Sequence, residues 1–243
     1  MSKILEKLLE ERSFGFKGGL FHKTQVNLCY NSNRIEGSKL TEDQTRYIFE
    51  TKTIGTNAEG VPIDDIIEAS NHFRCFDYLL DTIHQPLSVE IICELHRLLK
   101  TGTSDNHKEY FNVGGWKKIA NEVGGTETSK PGEVEEHMDQ LLTDYLNKCV
   151  INFEDIVRFH FEFEKIHPFQ DGNGRVGRLI MFRECLKQNV VPFIIADEMK
   201  AFYYRGLSEF SHEPGYLLET CGAAQDTYEI WVDYFYPDLH RTL

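Results

Sequence analysis

The sequence predicts a mainly α-helical fold with one short β-hairpin. Apolar residues recur at helical spacing in 156–166 and again in 176–186, on both sides of a short polar stretch. The main segment with hairpin character is 114–129, where the run 114–119 is followed by a polar turn and then by the run 123–128. No Pro/Ser/Gly-rich linker, repeat or low-complexity tract divides the 243 residues, so we expect a single domain over 1–243.

Two sequence signals predict where the helix near 25–37 ends and where the next helix begins. Gly37 supplies a C-terminal stop for a helix near 25–37, because glycine tolerates the left-handed conformation in which many helices end. Thr41 and Gln44 then have the spacing of a capping box, in which each side chain bonds the backbone N–H of the other residue. We therefore expect one helix to end at Gly37 and a second to begin after Thr41.

Helical spacing continues through the middle and the end of the chain. Residues 64–80 have it, and Ser88 is a suitable N-cap for the apolar run 91–99. The spacing resumes over 134–146. Residues 208–243 contain no functional motif, and we expect them to form closing helices that pack on the core.

The stretch His-Pro-Phe-Gln-Asp-Gly-Asn-Gly-Arg-Val-Gly-Arg contains the residues with the clearest chemistry. Pro168 disfavours helical geometry at the residue before it, so His167 should lie at a helix end. Gly172 and Gly174 allow backbone angles that other residues avoid, and a new helix should start at the second glycine or the residue before it. A glycine-lined helix start presents free N–H groups and the positive end of a dipole, which suit an anion.

Charged side chains in the same stretch indicate phosphate chemistry. Arg175 and Arg178 are three apart on one helix face and offer donors for phosphate oxygens. Asp171 would repel a phosphate unless a cation lay between them, and Mg²⁺ held by one carboxylate and by substrate phosphates is an ordinary arrangement. A histidine ordinarily has a pKa near neutrality, so His167 could take a proton from an attacking hydroxyl. Each residue alone more often has a structural role, but the ordered combination predicts phosphoryl or nucleotidyl transfer.

These twelve residues match the signature of Fic-domain proteins, His-x-Phe-x-Asp/Glu-Gly-Asn-Gly-Arg-x-x-Arg. The resemblance implies a Fic-type helical fold and Mg²⁺-dependent transfer of AMP from ATP to a Ser, Thr or Tyr hydroxyl of a protein. It also implies that His167 is the catalytic base and that Asp171 holds the metal. The nucleotide phosphates would be bound by Gly172, Asn173, Gly174, Arg175 and Arg178.

A second motif resembles the inhibitory motif of many Fic proteins, Ser/Thr-x-x-x-Glu-Gly/Asn. Residues 32–37 read Ser-Asn-Arg-Ile-Glu-Gly, and Ser32 and Glu36 are four apart, which places them on one helix face. The resemblance implies that Glu36 pairs with Arg178 in the place of the ATP γ-phosphate, so that the isolated protein is largely self-inhibited. The alternative is an ordinary solvated glutamate at a helix end.

Outside the two motifs a weaker resemblance to Fic proteins extends from about residue 25 to about residue 207. Residues 114–129 fall where Fic proteins place a flap that positions the target chain by strand-like pairing, so a protein substrate would dock there. Tyr203 and Tyr204 resemble a Tyr-Tyr-x-x-Leu region near the nucleotide base, although such a pair is often core or rim. Family members often form dimers or higher assemblies, which leaves a homo-oligomer and self-modification open.

The composition argues against several classes of protein. The net charge of −13 disfavours a nucleic-acid partner or an anionic membrane surface, since phosphate contacts need clustered Lys and Arg. No apolar stretch has the length of a membrane span, and the N-terminus does not resemble a signal peptide. Six scattered cysteines without a Cys-x-x-Cys pair indicate neither a disulfide framework nor a zinc site, and they suit a cytoplasmic location. His96 lacks a partner at metal spacing and should be a packed structural residue.

Three alternative functions stay open. Glu36 could orient a water that removes AMP from a modified protein, which would make the enzyme bifunctional or mainly de-AMPylating. A related Fic branch phosphorylates its targets, but it carries Lys where this chain has Gly174, so phosphorylation is disfavoured. A non-catalytic interaction module could bind nucleotide as a ligand, and it would keep its function without His167.

Overall fold

A computed structural model describes residues 2–55 and 59–239. The protein is 65% helical, and the predicted mainly α-helical fold with a small hairpin is confirmed. The helices of the described residues are α1 (Lys3–Phe14), α2 (Leu20–Ile35), α3 (Glu42–Thr51), α4 (Ile63–Asp81), α5 (Val89–Lys100), α6 (Val134–Leu146), α7 (Phe153–Ile166), α8 (Asn173–Lys187), α9 (Lys200–Glu209) and α10 (Gly215–Phe235). Single-turn 3₁₀ helices occupy Ser104–His107, Pro131–Glu133 and Asp197–Met199.

Helix α8 lies at the centre of the fold. Its apolar residues Val176, Leu179 and Phe182 are all buried, and they point in different directions around the helix axis. A helix that is buried all round needs neighbours on every side, and α2, α4, α5 and α7 pack against it. The polar stretch between α7 and α8 is therefore held at the start of the most enclosed helix of the described chain.

Several helix boundaries follow local signals in the sequence. The Thr41–Gln44 capping box is present, with Gln44 N–H donating to Thr41 Oγ1 at 3.1 Å. Ser88 caps α5 by accepting from Ile91 N–H at 3.4 Å. Helix α6 has the bounds expected from the sequence. Gly37, with a φ of 99°, follows the end of α2 and confirms the predicted stop.

Helix α2 begins five residues earlier than the predicted start near residue 25. The reason is a cap supplied from another helix. The Glu11 carboxylate, which is buried, accepts from the N–H groups of Leu20 at 3.1 Å and Phe21 at 2.7 Å. A carboxylate at a helix N-terminus satisfies free N–H groups and favours the helix dipole. Sequence spacing around Leu20 does not reveal such a distant cap.

The predicted hairpin is present but short. Strands β1 (Glu122–Val123) and β2 (Thr126–Glu127) pair antiparallel, with Glu122 opposite Glu127 and Val123 opposite Thr126. Gly124 and Gly125 both have positive φ, 58° and 78°, which is the requirement of a tight type I′ turn. The rest of 114–129 runs as irregular chain along the loop between α7 and α8, because its donors bond to that loop instead of a second strand.

Helices α9 and α10 close the fold beside α7 and α2. They account for most of the predicted C-terminal region 208–243, of which 240–243 lie outside the described residues. Among the described helices, none combines the length and the apolar character that a membrane span requires.

Candidate active site

The loop between α7 and α8 places His167 and Gly172 at the two facing helix ends. His167 is the C-terminal cap of α7, with a left-handed φ of 51° and its N–H donating to Phe163 O at 2.9 Å. Gly172, with a φ of 86°, is the N-cap of α8. The positive φ at Gly172 favours glycine, and the same conformation at His167 is uncommon for a side chain of that size. The helix end and helix start predicted from the sequence are both confirmed.

Asn173 and Phe169 hold this loop in shape. Phe169 N–H donates to Asn173 Oδ1 at 2.8 Å, and Asn173 Nδ2 donates to Phe169 O at 2.9 Å. The Phe169 ring is fully buried and stacks on His96, with ring centroids 3.9 Å apart and an interplanar angle of 11°. The Asn173 side chain is thus committed to the loop backbone, so the predicted phosphate contact of Asn173 would have to come from its backbone N–H.

The Phe169→Ala substitution should lower the free energy of unfolding by about 3–5 kcal/mol, because it leaves a cavity beneath the loop. Chemical denaturation measures this change. Phe202→Ala is the matched control, since the Phe202 ring is 64% exposed, and it should change stability by less than about 0.5 kcal/mol. Equal effects of the two substitutions would show that Phe169 does not anchor the loop.

His96 joins the start of the flap segment to the catalytic loop. Gly114 N–H donates to His96 Nδ1 at 3.0 Å, so Nε2 carries the proton and donates to Asp171 O at 3.2 Å. Burial lowers the pKa of His96 to about 3, which keeps the ring neutral in this role. The expectation that His96 is a packed structural residue is confirmed.

His167 is placed as a neutral base. Its Nδ1 lies 3.3 Å from Glu164 O. A carbonyl oxygen can only accept, so Nδ1 carries the proton and Nε2 keeps its lone pair. Burial lowers the pKa of His167 to about 4. The partly buried Glu164 carboxyl lies behind the ring, with Oε2 3.8 Å from Nδ1, and desolvation raises its pKa to about 8.

Asp171 faces two cations of the protein. Lys100 Nζ lies 2.6 Å and Arg175 Nη2 2.9 Å from its Oδ2. Burial alone would raise the pKa of Asp171, but the charges of Arg175 and Lys100 hold it well below its usual range. The carboxylate side chain is nevertheless 53% exposed. A permanently ionised, accessible oxygen donor fits the single-carboxylate ligand that Mg²⁺ commonly uses beside phosphates.

Arg175 lies beside Asp171. Its guanidinium is buried and bonds to Glu68 through Nη1 and to Asp171 through Nη2. Arg178 takes a different direction and reaches α2, although the two arginines are only three residues apart. In this structure the donors of Arg175 are engaged by Glu68 on α4 and by Asp171, and the phosphate contact predicted for Arg175 stays a prediction.

The predicted anion site at the start of α8 contains the carboxylate of Glu36. Arg178 Nη2 donates to Glu36 Oε1 at 2.6 Å and to Ser32 O at 2.9 Å, and Arg178 Nε donates to Ser32 Oγ at 3.0 Å. A Cβ added at Gly174 would lie 2.1 Å from Glu36 Oε1, so the carboxylate rests directly on the first turn of the helix. Ser32, Glu36, Gly174 and Arg178 are thus brought together.

The two tyrosines have different places. Tyr203 is fully buried, with its hydroxyl 2.6 Å from His160 Nε2 and accepting from Arg178 Nη1 at 3.4 Å. It supports Arg178 from behind, as expected for the tyrosine of such a pair that lies in the core. Tyr204 is 42% exposed and donates to Ile35 O at 3.4 Å. Tyr204 alone of the pair is accessible to a ligand.

The flap segment is fixed to the catalytic loop at its base. Lys117 N–H donates to Pro168 O at 2.8 Å, and Lys117 Nζ donates to Ile166 O at 3.3 Å. Asn121 Nδ2 donates to Phe169 O at 3.1 Å. Both short strands are exposed. The flap therefore has a rigid base beside His167 and free backbone edges at its tip.

Reasoning from the sequence did not identify four residues that shape the site, namely Glu68, Lys100, Lys117 and Glu164. A weak signal existed for two of them. Lys100 follows His96 by one helical turn on an otherwise apolar face, and Glu164 precedes His167 by three residues. Glu68 and Lys117 reach the loop from distant positions, and nothing in the spacing of the motif indicates them.

Comparison with known proteins agrees with this geometry. Residues 86–185 match the Fic/DOC family. The chain is 31% identical over 184 residues to a protein adenylyltransferase Fic of Drosophila willistoni, covering 73% of the chain and 35% of that protein. A protein adenylyltransferase Fic of Nematostella vectensis is 25% identical over 221 residues, covering 86% of the chain and 51% of that protein. The chain thus spans only part of these relatives.

Solved structures show the same fold. A Fic domain containing signaling protein from Bacteroides thetaiotaomicron superposes with a TM-score of 0.71 at 22% identity, covering 98% of this chain and 92% of that one. Fic-1 of C. elegans gives a TM-score of 0.72 at 21% identity, covering 95% and 71%. With the signature loop between α7 and α8 in place, the chain contains a Fic domain and belongs to the Fic/DOC family.

Proposed function

We propose that this domain transfers AMP from ATP to a hydroxyl group of a protein, and that Glu36 holds it in an inhibited state. The observation that supports this most directly is the ion pair between Glu36 and Arg178, which lies on the first turn of α8. That turn directly follows the loop that carries the neutral His167. A helix start lined by free N–H groups and an arginine is a phosphate site in the absence of that carboxylate. The name shared by the longer relatives, protein adenylyltransferase Fic, supports the same reaction.

In the proposed step His167 Nε2 takes the proton of the target hydroxyl. The hydroxyl oxygen forms a bond to the α-phosphorus, and the bond from that phosphorus to the oxygen shared with the β-phosphate breaks. Pyrophosphate leaves, and AMP stays on the target. General-base assistance of this kind contributes about 10²- to 10⁴-fold to a rate.

The phosphates would be held by the backbone from Gly172 to Gly174 and by Arg178, which would take the γ-phosphate once Glu36 withdraws. Asp171 would hold Mg²⁺, which when bound neutralises charge on the α- and β-phosphates. Arg175 and Lys100 keep Asp171 ionised and oriented. Tyr204 is the accessible aromatic residue near Ile35 and would border the nucleotide base.

The target would dock on the flap. The exposed strands β1 and β2 offer backbone groups that an extended segment of a protein could pair with. Because Lys117 and Asn121 tie the flap base to the catalytic loop, a strand paired there would present its side chains at a fixed distance from His167.

The acid limb of kcat/KM should lie near pH 4. His167 must be unprotonated to accept a proton, and burial lowers its pKa to about 4, so activity falls only as the pH drops through that value. Activity should therefore be independent of His167 titration between pH 6 and 8. A pH profile of the Glu36→Gly variant tests this, and a limb near the ordinary histidine pKa of about 6.5 would contradict it.

Labelled ATP distinguishes the proposed reaction from its alternatives. Wild type, Glu36→Gly and Glu36→Gly with His167→Ala are incubated with Mg²⁺ and ATP labelled at either the α- or the γ-phosphate. AMP transfer predicts protein-bound label from the α position alone, with more of it in Glu36→Gly and a loss of about 10²-fold or more in the double variant. Label from the γ position would indicate phosphorylation. ATP binding without α-label in any variant would overturn the proposal and favour AMP removal or a non-catalytic module.

A further inference from the structure

Lys100 lies in the centre of a cluster of carboxylates beside the catalytic loop. Its Nζ is 2.6 Å from Glu68 Oε1, 2.5 Å from Asp105 Oδ2 and 2.6 Å from Asp171 Oδ2. Carboxylate oxygens of these same three residues lie within 4.8 Å of one another. The ammonium group thus occupies the position in which a cation shared by the three would lie.

The position of Lys100 is fixed by the fold. Its side chain is 2% exposed. Lys100 is the last residue of α5, and His96 lies one turn earlier on the same helix. His96 in turn bonds to the backbone of Asp171. The loop carrying Asp171 and the helix carrying Lys100 are therefore held together at two places, and the ammonium cannot simply swing into solvent.

The formal charges of the cluster balance. Glu68, Asp105 and Asp171 are opposed by Lys100 and Arg175 inside the protein and by Lys108, which reaches Asp105 Oδ1 at 2.6 Å from the solvent side. Removing the charge of Lys100 would leave an excess of one negative charge next to Asp171. That excess would attract a divalent cation at short range.

We propose that Lys100 is an internal cation that competes with the divalent metal for the carboxylate of Asp171. The inference rests on the proposed role of Asp171 as the metal ligand. The ammonium lies 2.6 Å from Oδ2, so it is within a few ångströms of any metal that coordinates the same carboxylate at about 2.1 Å. The two like charges repel at that separation, and the carboxylate already compensated by Lys100 attracts a metal less strongly. Lys100 therefore keeps the affinity for metal low in the absence of nucleotide. The metal binds together with the nucleotide, whose phosphates supply further ligands.

Binding of Mn²⁺ alone, measured by electron paramagnetic resonance without nucleotide, tests this competition. Lys100→Met should bind Mn²⁺ about tenfold more tightly than wild type or better, since a cation is removed from direct contact with the ligand. Lys108→Met is the matched control, because it removes the same charge from the same cluster without freeing Asp171. It should change the Mn²⁺ dissociation constant by less than about twofold, as an exposed lysine is screened by solvent.

A second variant guards against loss of the fold. Lys100→Gln keeps an uncharged hydrogen-bond donor, one bond shorter than lysine, among the carboxylates, and it should also tighten Mn²⁺ binding. Unchanged or weaker binding in the folded Lys100 variants, or an equal gain in Lys108→Met, would overturn the inference. Because the readout involves neither ATP nor a protein target, a failure of AMP transfer would leave this result standing, and the reverse also holds.

Discussion

Glu36→Gly is expected to raise the initial rate of AMP transfer by about tenfold to a hundredfold, the range expected when a coupling of about 1–3 kcal/mol is removed. In the wild type the carboxylate bonds to Arg178 at 2.6 Å and lies 2.1 Å from the position that a Cβ on Gly174 would take. ATP must displace this anion before its γ-phosphate can reach Arg178. Removing the carboxylate removes that competition without changing His167 or Asp171.

Glu36→Gln separates charge from bulk. The amide keeps the size of the side chain, but it pairs with Arg178 less strongly because it carries no negative charge. We expect a rate between those of wild type and Glu36→Gly, measured as α-label incorporated per unit time. A fall in transfer in both variants would show that Glu36 takes part in the reaction instead of inhibiting it.

His167→Ala, placed in the Glu36→Gly background, should reduce AMP transfer by about 10²- to 10⁴-fold, the usual contribution of a general base. His167 Nε2 is the proton acceptor in the proposed step, and its neutral state is set by burial and by the bond from Nδ1 to Glu164 O. Binding of ATP, measured by calorimetry, should change little, because the phosphates are held by the helix start and Arg178.

His84→Ala is the matched control for this loss, since His84 is exposed at a distance in sequence from the catalytic loop. It should transfer AMP at the rate of its parent. If His167→Ala retained the parental rate while binding ATP, the assignment of the catalytic base would be wrong.

Much of the fold was predictable because its determinants are local. Helix α6 has the predicted bounds, the Thr41–Gln44 capping box is formed, and the catalytic loop begins and ends where Pro168 and Gly172 indicated. Each of these features depends on side chains within a few residues of one another. The start of α2 was not predictable in this way, because its cap, Glu11, comes from the preceding helix.

The sequence predicted the residues of the motif, but it did not predict the partners that orient their side chains. Spacing placed Arg175 and Arg178 on one helix face, but their partners lie on other helices, and those partners send the two guanidinium groups in different directions. Likewise, adjacent tyrosines on α9 must point to different sides, and spacing alone does not say which one enters the core. Tyr203 enters because His160 and Arg178 offer partners for its hydroxyl there.

The structure also connects the flap, the loop and the metal ligand through a few buried side chains. His96 bonds to Gly114 at the start of the flap segment and to the backbone of Asp171. Lys117 bonds to the loop on the other side, at Ile166 and Pro168. A displacement of the flap base would therefore move the loop that carries both the proposed base and the proposed metal ligand.

The most direct measurement of the central claim is the affinity for ATP and for ADP, by calorimetry, in wild type and in Glu36→Gly. If Glu36 competes with the γ-phosphate for Arg178, the substitution should tighten ATP binding by about tenfold, or about 1.4 kcal/mol. ADP, which has no γ-phosphate, should bind both proteins with nearly the same affinity. Equal changes for the two nucleotides, or none for ATP, would contradict the claim that this carboxylate stands in the place of the γ-phosphate.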